Sequence, residues 1–438
     1  VTTYYPDLAD VVRRQADALP EVYGDVDFSG VPYRFTTDPD VESALPAWVG
    51  GRSRYLSDAR IVELMTTSTM LGDVVADRYA ALAADHSVSE LISMLRTACR
   101  EGIDAVEDAP SELASFLEAM ETTPDWIDLD LVAEGARLSR VPSALLSPFI
   151  TRGAFIATFT NLYAALPMVM TGALTGKRAA RRVNETTSFF AVTTLPGALD
   201  RDGAGFEAAA MVRLMHSMVR YNALRRSGTW DVDTYGIPIP QLDQAPAGLM
   251  GAFILAQRAL RQGRSEFTRA ERATVEFHRY RCFLLGLPEE LVPATPRGVV
   301  DVFTGRAALL RAGFDDSCAS LVSSTMNAYL RSGHTAFDRA AESVERSYSK
   351  IAFMIAFCQG NRRAAARMGV EIAAADFARI AGTAPFIVGR LAAAQYAARI
   401  PFLAPHVDRY ATRMVERRLA DYGKPEFRTD HTEYAVAH

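Results

Sequence analysis

From Asp58 onward, apolar residues recur at the three- and four-residue intervals that place them on one face of a helix. Ile61, Leu64 and Met65 start the pattern, and Leu91, Ile92 and Leu95 continue it behind Ser87 and Glu90, whose spacing has the form of a capping box. Thr123-Pro124-Asp125-Trp126 interrupts it, and Leu129 to Leu138 resumes it. Further helices are predicted over 153–176, 178–193, 204–226, 246–261, 268–285, 298–312, 317–331, 337–358, 361–369, 373–398 and 404–421. Alternating β-branched stretches are almost absent, so the fold class is all-α. Residues 1–57 are rich in Pro, Gly, Asp and aromatics and read as an extended N-terminal arm packed on the body. Residues 58–422 read as one large helical domain and 423–438 as a polar tail. No polar interdomain linker and no internal repeat is visible.

One stretch departs from amphipathic patterning: Gly153 to Gly176 is uncharged throughout, bounded by Arg152 and Lys177. It is long enough to cross a bilayer. Thr158, Thr160, Asn161, Tyr163, Pro167 and Thr171 interrupt it, however, and the chain has no second such segment, so a buried core helix is expected and no transmembrane span. Phe155, Phe159, Leu162 and Tyr163 would line a pocket for a hydrophobic molecule or simply pack the core.

Composition narrows the function classes. The chain has 438 residues, 49% hydrophobic and 23% charged, with a net charge of −5, enough to bury a large core and without the basic field nucleic acid requires. Cys99, Cys282, Cys318 and Cys358 stand far apart with no paired spacing, and read as free thiols in a reducing compartment, which points to the cytoplasm. The first residues, Val1 to Leu8, have neither the basic nor the long apolar region of a secretory leader.

The sharpest chemical signal is a histidine in an apolar helix. In Glu207-Ala-Ala-Ala-Met-Val-Arg213-Leu-Met-His216-Ser-Met-Val-Arg220, the two arginines stand three residues before and four after His216, on its stripe. An imidazole there is a natural axial ligand for haem iron, and two guanidiniums could hold the propionates in forked ion pairs. The competing reading is a core histidine hydrogen-bonded to a carbonyl, with arginines that pair local acids. His278 reads as a packed histidine and His334 as a loop or cap residue. No phosphate loop, nucleophile elbow, His-Glu-x-x-His pair or cysteine-ligand loop is present.

Several short motifs occur in order: Pro124-Asp-Trp126-Ile-Asp, Arg182-Val-Asn-Glu-Thr186-Thr, Val212-Arg-Leu-Met-His216-Ser-Met-Val-Arg220, Trp230-Asp, Gly236-Ile-Pro-Ile-Pro-Gln241-Leu-Asp243 and Leu285-Gly-Leu-Pro. Together they resemble the catalytic domain shared by latex-clearing rubber oxygenases and the membrane-bound oxygenase of mycophenolic acid biosynthesis, over about residues 60 to 400. The resemblance implies a globin-like helical core around one haem b (iron protoporphyrin IX), held by a single proximal histidine and using dioxygen. By motif, it makes His216 the iron ligand and Arg213 and Arg220 propionate partners; by spacing rather than motif, it makes Arg346 in Glu345-Arg-Ser-Tyr a further one. Arg182 and Thr186 match the distal arginine and threonine.

Two departures bear on the reaction. Glu185 stands where the rubber oxygenases have a lysine beside that threonine, and their distal glutamate aligns near Leu166, with no acid between Gly153 and Gly176. This sets the chain against polyisoprene cleavage. Glu185 then has two readings: a distal acid or base, or a carboxylate paired with Arg181 or Arg182. The function implied is a haem b oxygenase acting on a small hydrophobic metabolite, unsaturated if a carbon–carbon double bond is cleaved. A haem monooxygenase or peroxygenase needing outside electrons or peroxide is one alternative. A helical haem or lipid carrier or sensor without catalysis is the other.

Overall fold

The computed structural model describes residues 3–170 and 177–422. Residues 171–176, the end of the long apolar run, and the polar tail 423–438 lie outside the described residues. Helices dominate, and among the described residues the extended pairings are two isolated bridges, Phe35 with Leu310 and Ser43 with Arg311. The chain divides into two compact units. Among the described residues, one comprises those up to Gly135 together with Asp200–Gly313, the other Ala136–Leu199 together with those from Phe314 on. Among the described residues no polar linker marks the division, because the first crossing falls inside the helix Leu129–Leu145 and those at Leu199 and Gly313 fall in connections between helices.

In the first unit, the helix that carries His216, Ala204–Tyr221, packs on Val74–Ala81, Val88–Glu101 and Arg269–Leu284. Ala208, Ala209 and Ala210 let neighbouring backbones come close, and twelve of its residues are buried. It runs on into one π turn, Asn222–Arg226. The helix Gln241–Arg261 packs on Arg269–Leu284 and Pro296–Leu309. The Ser87 capping box forms, with Glu90 N donating to Ser87 Oγ at 3.2 Å and Ser87 N to Glu90 Oε2 at 2.8 Å.

The N-terminal arm contains a helix that the sequence pattern left out, Pro6–Ala18. Proline opens it, and its inner face consists of only Leu8, Val12 and Gln15, too few apolar positions to show as a period. Gln15 anchors it, donating to Met70 O at 2.9 Å and accepting from Gly72 N at 2.7 Å. Farther along the arm, buried Arg34 reaches Asp243 at 2.8 Å, and Arg306 holds the same carboxylate at 2.7 Å, which pins the first turn of the Gln241–Arg261 helix.

In the second unit, Ala336–Cys358 lies along Ser147–Ile156 around a core of Ile156, Phe159, Val322 and Phe353. The two helices touch at Gly153, where a Cβ would stand 2.6 Å from Ser349 O. The single helix expected over 153–176 is corrected: Ser147–Ile156, a 3₁₀ turn at Ala157–Phe159 and Leu162–Met170 replace it, with a bend of 100°. Side-chain oxygens break it. Thr158 and Thr160 hydroxyls each donate to a preceding carbonyl at 2.7 Å, and Asn161 Oδ1 accepts from Tyr163 N at 3.0 Å. Among the described residues no single helix is long and apolar enough to cross a membrane, although this bent pair passes that test jointly.

Candidate functional site

His216 is half-buried, and its Nδ1 lies 2.9 Å from Oε1 of Gln244 on the Gln241–Arg261 helix. Gln244 is itself fixed, its Nε2 donating to Gln241 Oε1 at 2.7 Å, while Gln241 N donates to Leu71 O at 2.9 Å. An amide oxygen only accepts, so this relay makes Nδ1 the protonated nitrogen and leaves the Nε2 lone pair unprotonated. Nε2 has no hydrogen-bond partner among the described residues. Burial pushes the imidazole down to about 4, and the Gln244 hydrogen bond offsets only part of that, so the ring is neutral near pH 7. A neutral imidazole with one nitrogen anchored and the other free is what a histidine ligand to iron requires.

The arginines around it do something other than the sequence suggested. Arg213 forms a forked pair with Asp73 at 2.6 and 2.9 Å, buried on both sides, and lies over the Phe116 ring. Arg220, fully buried, pairs with Asp77, which also takes the Tyr23 hydroxyl. Burial works against the Arg220 charge, but Asp77 with Tyr23 and Asp73 outweighs it and holds the guanidinium above its ordinary range. Arg213 and Arg220, expected at the propionates, engage groups of their own unit: the Arg213 fork faces Asp73, while Arg220 divides its donors between Asp77 and two backbone carbonyls. Local acids take the arginines, as the competing reading had it, while the histidine bonds a side-chain amide in place of a backbone carbonyl.

Arg220 also secures the loop that leads to the glutamines. Its Nε donates to Pro238 O at 3.0 Å and its Nη2 to Ile239 O at 2.6 Å. Ile239 has φ +46°, a conformation costly for a β-branched residue, and the two captured carbonyls hold it there. Gly286 closes the other side at φ +88°, where a Cβ would meet Asp73 Oδ2 at 2.6 Å.

Neither Gln241 nor Gln244 was singled out by sequence reasoning as a site residue. Their signal is an i, i+3 pair of glutamines at the start of a helix directly after Pro-Ile-Pro, meaningful only once the His216 helix is known to lie alongside. Replacing Gln244 with leucine is expected to weaken haem binding roughly 10–100-fold, the usual effect of losing an outer partner of a histidine ligand. Haemin titration of the haem-free protein reads this directly, and an affinity equal to wild type would refute the relay.

His278 is packed, as expected. Its Nδ1 lies 3.0 Å from Gly248 O and 2.8 Å from Arg281, and burial pushes it down to about 3. Trp126 stands edge-on to Phe283 with Arg279 over its ring, a structural contact. Among the described residues no group of three or more His, Cys, Asp or Glu side chains could hold a bare metal ion.

The remaining candidates lie in the second unit. Arg182, Glu185 and Thr186 sit on Lys177–Val192. Glu185 is held from two sides, by Arg181 Nε at 2.9 Å and Arg182 Nη1 at 3.0 Å, and Thr186 is half-buried beside it. Of the two readings of Glu185, the geometry is that of the paired carboxylate.

Arg346 Nη2 donates to Glu342 Oε1 at 3.3 Å, and fully buried Arg152 pairs with the same carboxylate. Nε of Arg346, Nε and Nη1 of Arg152, and Oε2 of Glu342 are buried without hydrogen-bond partners. The unmet guanidinium N–H groups would donate to water or to an added carboxylate, whereas Glu342 Oε2 could accept only from water.

The comparisons with known proteins are consistent with this picture. The family described as "ER-bound oxygenase mpaB/B'/Rubber oxygenase, catalytic domain" matches residues 149–388, more than half of the chain. A solved structure of latex clearing protein in the closed state is similar in fold, with a TM-score of 0.58 at 16% sequence identity, covering 80% of this chain and 91% of that one. No curated protein sequence matches. The cytoplasmic placement is corrected by the family description, which names ER-bound oxygenases. All four cysteines are buried, and burial pushes the Cys99 and Cys282 thiols up to about 12. Thiols so protected stay unreactive in any compartment and do not report which one holds the chain.

Proposed function

The chain belongs to the ER-bound oxygenase and rubber oxygenase catalytic-domain family, and from that premise we propose that it is a haem b-dependent oxygenase acting on a small hydrophobic metabolite. The observation that carries the proposal is the His216 arrangement: Nδ1 tied to Gln244 at 2.9 Å and the Nε2 lone pair left free. Haem, when bound, supplies the iron at which dioxygen is used. The chain's own part is to present His216 neutral and in one orientation, which the Gln244–Gln241 relay and the Arg220-held loop accomplish. Arg182 and Thr186 are carried, on the resemblance, as the polar side chains that steady charge on oxygen. The carboxylate-binding role of Arg346 is retained, since its Nε has no acceptor. An ER-membrane setting, which the family description names, suits a substrate of low water solubility.

A second reading, a monooxygenase or peroxygenase supplied with electrons or peroxide, is favoured by one observation. Both Glu185 oxygens are already engaged, Oε1 by Arg181 at 2.9 Å and Oε2 by Arg182 at 3.0 Å, so the carboxylate is not free to take a substrate proton in cleavage chemistry. Absorption spectra before and after dithionite and carbon monoxide test the haem: a Soret band that shifts on carbon monoxide addition is expected. Oxygen uptake with a candidate alkene, with and without a reductant, separates the two readings. Uptake without reductant supports dioxygen-only chemistry, uptake only with reductant supports the second reading, and a red protein that consumes no oxygen with any alkene reduces it to a carrier or sensor.

A further inference from the structure

The last long helices of the second unit carry a feature the oxygenase reading does not use. Ala374–Ala397 lies on Ala336–Cys358 through one side only. There Asp376 takes the Ser347 hydroxyl at 2.7 Å and Lys350 at 3.4 Å, and Thr383 meets Tyr348 at 3.2 Å. Leu391 and Ala394 complete that side in a small core with Val141, Leu145 and Val415.

The outer side is apolar and bare. Phe377 is 46% exposed, Phe386 76%, Val388 53% and Tyr396 69%, and Phe402 in the following turn is 73% exposed. At about 100° per residue these positions, with the alanines and glycines between them, cover roughly half of the helix circumference without a charge. A Cβ added at Gly382 or Gly389 would meet nothing within 4 Å, so no described part of this chain packs there. Arg379 and Arg390 stand together along one margin of the arc. A continuous exposed apolar stripe of this length marks a contact surface rather than ordinary exposure.

Charge identifies the partner. Residues 361–422 hold ten arginines against five acids in a chain whose net charge is −5. The only acid of the helix, Asp376, is buried and already engaged by Lys350 and Arg379. A second copy laid on this helix would thus bring its arginines no new carboxylate from the same face. A lipid surface with anionic headgroups supplies both an apolar layer for the aromatics and phosphate for the arginines, the arrangement of an interfacial amphipathic helix. The stretch after Tyr422 has Phe427, Tyr434 and Val436 as its only large apolar side chains, too few to cover the stripe.

We propose that the outer face of Ala374–Ala397, with Phe402, docks in the plane of an anionic lipid bilayer without crossing it. Flotation of the full chain with phosphatidylcholine vesicles, with and without phosphatidylserine, tests this independently of haem content. Binding is expected to the phosphatidylserine vesicles, to weaken with added salt, and to fall at least ~10-fold in Phe377→Ser/Phe386→Ser, since each removes an inserted ring. Both positions are exposed, so far-UV circular dichroism of the variant should match wild type. Equal binding by the variant, or no preference for phosphatidylserine, overturns the proposal. So does a concentration-dependent dimer in light scattering that the variant abolishes, with no vesicle binding, which would assign the face to a second copy.

Discussion

Replacing His216 with alanine is expected to yield a folded protein that no longer retains haem, with the Soret band lost and affinity for haemin reduced more than ~100-fold. The magnitude follows from the position of the residue: loss of an outer hydrogen-bond partner alone typically costs about 10–100-fold in metal affinity, and here the donor atom itself is removed. The helix is not threatened by the change, because alanine is the best helix former and His216 is only half-buried. Free imidazole added to His216→Ala should enter the space left by the side chain and restore a haem spectrum, a rescue that separates a missing ligand from a damaged fold. His334→Ala, in an exposed loop, should keep its colour. An unaltered Soret band in His216→Ala would end the assignment.

Arg220→Met should be the most damaging single substitution for stability, at about 3–5 kcal/mol, the range observed when one partner of a buried ion pair is removed. That is a large share of the roughly 5–15 kcal/mol that keeps a typical domain folded. Asp77 would be left fully buried without a cationic partner, facing neutral groups such as the Tyr23 hydroxyl and the Asp73 amide. Release of the Pro238 and Ile239 carbonyls would also let Ile239 leave its φ of +46° and carry Gln241 and Gln244 out of register with His216. Stability and haem affinity should therefore fall together. Urea unfolding followed by circular dichroism measures the first, and haemin titration the second. Adding Asp77→Asn to Arg220→Met should lose less than the two single effects combined, because the variant no longer buries an unpaired charge. An unchanged urea midpoint for Arg220→Met would show that the cluster does not hold this unit together.

The cluster also shows what spacing alone leaves open about two arginines beside a histidine. Spacing places Arg213, His216 and Arg220 on one stripe of a helix, and that stripe is real. It does not say what faces the stripe. Asp73 and Asp77, some 140 residues away in the chain, stand on the first turns of another helix, where Asp73 also caps Val74–Ala81 by accepting from Ala76 N. A buried guanidinium is tolerated only with a carboxylate or carbonyl partner, so the pairing was to be expected once burial was known.

What the sequence by itself determined is the helical class, most helix boundaries to within a few residues, and His216 as the histidine to examine. These depend on local periodicity, capping chemistry and composition, all written in neighbouring residues. The break of the apolar run at Asn161 was half legible, since the Thr and Asn side chains that compete for backbone carbonyls and N–H groups were visible while their geometry was not. Tertiary structure alone decided the distant partners: Gln244 for His216, aspartates for Arg213 and Arg220, and the bare outer side of Ala374–Ala397. Partnership between elements distant in the chain is set by packing and by the cost of leaving a buried charge or donor unmet, and no local pattern encodes either.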